Sequence, residues 1–153
     1  MISGLDNVSL FMDLDAESME DISKFCTKFT LMDGEDLISE NENASYDIYV
    51  LCDGNVEIIT SGSGVTSQEI SLSEQDKEIF GEISWLLNGK RTATIRCQGE
   101  VEAIHIDGAQ FMRYLETHPQ AGFLIMRRVS IILAQRLNKT NGLLKQILWN
   151  NYT

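Results

Sequence analysis

From residue 28 to residue 106 the chain keeps interrupting short runs of valine, isoleucine, threonine and aromatic residues with glycine beside aspartate, asparagine or serine. β-branched and aromatic side chains suit a pleated, half-buried surface, and the interrupting residues supply tight reversals. The clearest predicted strands are 47–51, 56–60, 92–96 and 101–106, with turns expected at Asp33-Gly34, at Asp53-Gly54 and at a Gly62-Ser63-Gly64 tip. Reversals this frequent leave no room for the long crossovers of a parallel sheet. The expected fold is therefore mostly β, an antiparallel jelly-roll β-barrel over about 27–106.

Helical periodicity flanks this section on both sides. Leu14, Met19, Ile22 and Phe25 share one face of a predicted short N-terminal helix, about 14–26, with Asp15 placed to cap it. From about 107 to 149 the pattern is helical again. It is interrupted at Thr117-His118-Pro119, where proline fits the first turn of a new, long helix. Apolar residues recur there at Phe123, Met126, Val129, Ile132, Leu133 and Leu137, and again at Leu144, Ile147 and Leu148 beyond a weak point at Asn141-Gly142. At this length all of 1–153 is expected to form a single domain.

Charge and residue counts exclude several function classes. A formal net charge of −11, with twelve basic residues that form no stripe, repels phosphodiester backbones, so no nucleic-acid partner is expected. No apolar run approaches the ~20 residues of a membrane helix, and the N-terminus carries no basic segment followed by an apolar one. A cytoplasmic protein without a membrane partner is expected. Cys26, Cys52 and Cys97 lack C-x-x-C spacing and read as buried thiols. Two histidines, His105 and His118, are too few for a metal cluster, and His105 alternates with apolar neighbours as a structural imidazole would. Ser84 sits in no G-x-S-x-G turn, and Glu40 and Glu42 fall in a turn region as solvated carboxylates. No catalytic residue, metal or cofactor is predicted, and the chain is not read as an enzyme.

One stretch does carry chemistry: Phe80-Gly81-Glu82-Ile83-Ser84-Trp85-Leu86-Leu87-Asn88-Gly89-Lys90-Arg91-Thr92-Ala93-Thr94. A glycine turn opens a short apolar helical turn, and a second glycine turn leads to an arginine. First-turn amides favour negative charge and a guanidinium can clamp two phosphate oxygens, so the stretch is a candidate anion cradle; a bland loop would show the same spacing. The segment resembles the phosphate-binding cassette of the cyclic-nucleotide-binding family, F-G-E followed by an apolar turn and R-[TSA]-A-T. The resemblance extends from about residue 10 to 148. It includes Gly34 and Gly54 at the family's turns, the strand-like Tyr46-Asp47-Ile48-Tyr49-Val50-Leu51, and Thr117-His118-Pro119 before a long final helix.

The resemblance implies a ligand, cAMP or cGMP, and a role for each matching residue. Glu82 would accept from the ribose 2′-hydroxyl, Arg91 would pair with the cyclic phosphate, and backbone amides around Gly81, Ile83 and Ser84 would complete the pocket. Lys90 replaces a common proline. Thr92 is associated in the family with tolerance of the guanine amino group, beside the alternative that it merely enters a strand. Leu137-Asn138-Lys139-Thr140-Asn141 resembles the purine-contacting part of the catabolite-activator type, which makes Thr140 and Asn141 candidates for the base, unless they are simply a solvated helix face. Trp149 is either a stacking lid or a residue buried in a helix contact.

No helix-turn-helix, kinase or channel segment is visible, so the implied function is a cyclic nucleotide receptor that signals through an unidentified protein effector or its own assembly state. The alternative is a ligand-free structural interaction module on the same roll, disfavoured because a buried unpaired Arg91 would be costly. A homodimer through the C-terminal helix is expected. Its seam would run along Met126, Val129, Leu133, Arg136, Thr140, Leu143 and Ile147, with Ile132, Leu137, Leu144 and Leu148 facing the roll. The competing arrangement is a monomer whose helix breaks at Asn141-Gly142 and folds back as a lid.

Overall fold

A computed structural model of the chain describes residues 2–40, 46–60, 67–71 and 79–152. Two short 3-10 turns, Leu5–Asn7 and Ser9–Phe11, lead into helix α1, Ala16–Ser23. Its cap is the expected one: the Asp15 carboxylate accepts from the Ser18 amide at 2.8 Å. Six strands follow: β1 Cys26–Leu31, β2 Asp36–Ile38, β3 Ile48–Ile59, β4 Ser67–Ser71, β5 Ile79–Phe80 and β6 Thr94–Ile106. A one-and-a-half-turn helix, α2 Glu82–Leu87, lies between β5 and β6. The chain then closes with α3, Gly108–Thr117, capped by Asp107, and α4, Pro119–Tyr152.

All strand pairs are antiparallel. β6 pairs with β3 along nearly its whole length; β1 and β2 flank β6, while β5 and β4 flank β3. The strands therefore form one six-stranded antiparallel sheet that, among the described residues, does not close into the expected barrel. Predicted strands 47–51 and 56–60 are one 12-residue strand, and those at 92–96 and 101–106 lie on one 13-residue strand that begins at Thr94. Asp53-Gly54 is thus no reversal. The β3–β6 register shifts there, and Gly54 has φ +104. A Cβ at Gly54 would lie 2.6 Å from the Glu100 carbonyl oxygen, so only glycine lets β6 approach so closely at this bulge. Asp33-Gly34 is a genuine turn, with the Gly34 amide donating to the Cys97 carbonyl at 2.9 Å.

The buried residues form two cores. In one Leu37, Ile38, Leu51, Val56, Phe80, Ile95 and Val101 pack together. A second cluster joins Val50, Ile104 and Ile106 to the N-terminal turns, Trp85 of α2, Phe111 of α3, and Ile125 and Val129 of α4. Cys26 and Cys97 are buried as expected, and desolvation pushes the Cys26 thiol up to about 12; Cys52 is only half-buried. Helix α4 runs straight through Asn141-Gly142, where a glycine Cβ would meet open space, so nothing folds back at that point. Its side chains are exposed from Leu137 through Asn151. The Gly62-Ser63-Gly64 tip and Glu42 lie outside the described residues.

Candidate functional site

A cavity of about 730 Å³ opens between the sheet, helix α2 and the middle of α4. Gly81 caps the N-terminus of α2 at φ +89, a conformation glycine adopts without strain. Space demands glycine as well: a Cβ would meet Arg91 Nη1 at 2.5 Å and the Asp47 carbonyl oxygen at 2.6 Å. Arg91 is buried at 3 % exposure. Its Nη1 donates to the Gly81 carbonyl at 3.2 Å and to Ser84 Oγ at 3.3 Å, and its Nη2 donates to the Asp47 carbonyl at 2.8 Å. These acceptors come from the cap and first turn of α2 and from the residue before β3, so the fold itself orients the guanidinium on the cavity wall.

Glu82 stands on the first turn of α2, 6 % exposed. One carboxylate oxygen, Oε1, accepts from Arg136 Nη1 at 2.5 Å; the same guanidinium donates to the Ile79 carbonyl through Nη2 at 2.6 Å. Helix α4 is thereby tied to both β5 and α2 by one side chain. Further along α4, Arg128 is gripped by Asp13, with Nε 2.7 Å and Nη2 3.2 Å from its two carboxylate oxygens. Hydrogen bonding from Arg128 holds the Asp13 carboxyl below its usual range.

The cavity brings together seven of the eight predicted residues: Gly81, Glu82, Ile83, Ser84, Arg91, Thr92 and Thr140 all line it. Asn141 does not; it is exposed, about 100° round the helix from Thr140. Thr92 lies in a bend two residues ahead of β6, so it is not a strand residue. Trp149 is 71 % exposed and is not buried in a helix contact.

Sequence reasoning missed Arg128, Arg136 and Lys139 on the α4 wall, whereas Ile132, expected to face the roll, does line the cavity. Arg128, Ile132, Arg136 and Thr140 follow one another at i, i+4, a single row along the helix, with Lys139 beside them. Arg136 belongs to this wall and not to a dimer seam, and Val129 is buried in the chain's own core. Placing Thr140 in the pocket already determines the other three by helical spacing. Among the described residues the cavity is lined by Arg91, Arg128, Arg136 and Lys139, of which Arg128 is paired with Asp13 and Arg136 with Glu82, in a protein of net charge −11. Anions are the ligands such a wall attracts. Among the described residues no group of three or more histidine, cysteine, aspartate or glutamate side chains is placed to hold a metal. No helix of the described residues is long and apolar enough to cross a membrane.

Comparison with known proteins agrees with this geometry. Solved structures with the same fold include a provisionally assigned cyclic nucleotide-binding protein from Geobacter metallireducens (23 % identity, TM-score 0.72), covering 90 % of this chain and 99 % of that one. The catabolite activator protein of Thermus thermophilus is similar over 92 % of this chain and 63 % of its own length (19 % identity, TM-score 0.73). So is the regulatory domain of Toxoplasma gondii PKA, crystallised with cAMP, over 90 % and 48 % (18 % identity, TM-score 0.65). The chain therefore spans less than two thirds of the last two proteins. No curated protein sequence matches significantly. The family model for the cyclic nucleotide-binding domain matches residues 28–118, more than half of the chain and the whole of the cassette between Phe80 and Thr94. With an antiparallel sheet, a buried arginine at the start of a short helix and this match, the chain belongs to the cyclic nucleotide-binding domain family.

Proposed function

We propose that this domain is a receptor for a cyclic mononucleotide, cAMP or cGMP, and that it regulates an effector rather than transforming its ligand. The observation that carries this reading is the convergence on one cavity of a buried, pre-oriented Arg91 and a buried Glu82 with three further cations. In this reading Arg91 holds the cyclic phosphate together with the first-turn amides of Ile83 and Ser84, which have no acceptor inside a helix that has just begun. Glu82 accepts from the ribose 2′-hydroxyl while Arg136 holds its Oε1. Thr92 and Thr140 flank the base.

The reading does not rest on Arg91 lacking a partner, since backbone carbonyls and Ser84 already hold it. A ligand-free interaction module would be compatible with that satisfied arginine. It gives no reason, however, for a buried, pre-oriented arginine to stand on the wall of a cavity of this volume. Titration calorimetry of the full chain with cAMP and with cGMP tests the reading: saturable one-to-one binding supports it, and no heat with either supports the module.

Selectivity between the two nucleotides is assigned to Thr92, an exposed residue that lines the cavity. Thr92→Ala is expected to cost cGMP about 1 kcal/mol and cAMP little, the scale of one neutral hydrogen bond. Equal losses in calorimetry would remove Thr92 as a selectivity element. The output is proposed to run through α4, by way of a protein effector or a homodimer, in the cytoplasm and without nucleic acid, membrane, metal or cofactor.

A further inference from the structure

Of the four cations that line the cavity among the described residues, three are already engaged. Arg91 donates to Gly81, Ser84 and Asp47, Arg128 is paired with Asp13, and Arg136 donates to Glu82 and to the Ile79 carbonyl. Lys139 lines the cavity too, and among the described residues no ion pair or side-chain hydrogen bond engages its ammonium. The carboxylate on the cavity wall, Glu82, is held by Arg136. Lys139 is exposed, a point charge on a flexible stem that can turn toward a bound molecule.

Its place along α4 decides which part of a nucleotide it meets. Arg136 marks the ribose end, because the carboxylate it holds is the one assigned to the 2′-hydroxyl. Lys139 stands three residues further on, about 4.5 Å along the helix by its rise, and Leu143 follows four residues later on the same face, still lining the cavity. The phosphate is assigned to Arg91 and the start of α2, so the part of the ligand left for this stretch of α4 is the base. Ile38, Ile58 and Ile95, from β2, β3 and β6, offer apolar surface to the ring faces but nothing to a polar edge. Thr140 can donate or accept and so suits any edge, whereas an ammonium only donates.

We propose that Lys139 reads the 6-position of the purine and that the site thereby favours a 6-oxopurine cyclic nucleotide, such as cGMP, over cAMP. This rests on the reading of the cavity as a cyclic nucleotide site. Guanine presents two neighbouring acceptors, O6 and N7, on one edge; adenine keeps N7 but replaces O6 with an amino donor. Against Lys139 the first edge gains charge-assisted hydrogen bonds, and the second sets a donor against a cation. The preference is separate from the one assigned to Thr92, which concerns the 2-amino group of guanine.

A third nucleotide isolates the effect. cIMP carries the O6 and N7 of guanine without its 2-amino group, so it differs from cAMP only in the 6-substituent and the proton on N1 that accompanies it. Calorimetry of the full chain is expected to show cIMP binding about fivefold more tightly than cAMP, the low end for a side chain reading a base edge because Lys139 is exposed. Lys139→Met keeps an unbranched stem without the charge and should bring the ratio to about one. Lys139→Glu presents an acceptor to the adenine amino group and should make cAMP the tighter ligand. Lys139 lies outside both cores, so these variants keep the fold. Attraction of the ammonium to the phosphate is common to both nucleotides and cancels in the ratio. A wild-type ratio of one, or a ratio that survives in Lys139→Met, overturns the assignment of Lys139 and leaves the nucleotide reading standing, since both ligands still bind. Absence of binding with cIMP, cAMP and cGMP alike overturns both.

Discussion

Arg91→Ala is expected to weaken cyclic nucleotide binding by about two to three orders of magnitude, the scale of removing one partner from a buried charge pair. The guanidinium is 3 % exposed and aimed by acceptors on two separate elements, so little of its binding energy is lost to ordering it. The same contacts make the variant a demanding test. Removing the side chain also leaves the carbonyls of Gly81 and Asp47 without this donor, although Gly81 lines a cavity that water can enter. Circular dichroism and thermal melting should accordingly show a folded protein with modestly lowered stability. Arg91→Lys separates charge from geometry: a lysine keeps the cation but not the planar fork, and its affinity should fall between wild type and alanine. A folded Arg91→Ala protein with unchanged affinity would overturn the assignment of Arg91.

Much of this site was legible because its chemistry is local. Gly81, Glu82, Ser84 and Arg91 lie within eleven consecutive residues, and a glycine turn, a short helix and a second turn bring them to one wall. Helix ends were legible for the same reason: Asp15 and Asp107 both cap through a side chain that reaches three residues ahead. What stayed hidden depends on long-range pairing. Whether Asp53-Gly54 reverses the chain or bulges it is decided by β6 arriving alongside, some fifty residues later, and the local glycine and aspartate are the same in both cases. Arg136 was assigned to the wrong face of α4 because its partners, Glu82 and Ile79, are far away in sequence. A polar residue in an apolar row looks like an interruption until the carboxylate it meets is known.

That corrected face changes what α4 does. Arg136 ties the helix to the residue proposed to hold the ribose, and Arg128 ties it to Asp13 in the N-terminal segment. A ligand that draws on Glu82 therefore acts directly on the position of α4, with no intermediate element. Beyond Leu143, the last residue of α4 that lines the cavity, the helix continues as an exposed arm, and the proposed function would carry a small change at Glu82 to that arm.

A homodimer along that arm is the second large effect expected, and its seam differs from the one periodicity first suggested. With Arg128, Arg136 and Thr140 turned to the cavity and Val129 in the core, the apolar row left to solvent is Leu137, Leu144, Ile147 and Leu148, at 61 %, 53 %, 57 % and 47 % exposure. Leu133, Leu137, Leu144 and Ile147 fall on a three-four repeat in which Thr140 is the polar position at the seam's edge beside the cavity. At 34 residues the helix extends about 51 Å by its rise, well beyond the ~30 Å reached by a 20-residue helix across a small domain. Two such arms packed together would bury these leucines and bring Asn141, which faces away from its own pocket, toward the partner. Leu144→Glu is the informative variant, because Leu144 is exposed within the chain and its replacement leaves both cores untouched; Leu133 packs against the core and would confound the result. Sedimentation equilibrium at tens of micromolar is expected to give a dimer for wild type and a monomer for Leu144→Glu. Burying two facing carboxylates in a leucine seam costs several kcal/mol, more than enough to dissociate a micromolar dimer. A monomeric wild type with or without nucleotide would remove the dimer and leave the α4 arm to a different protein effector.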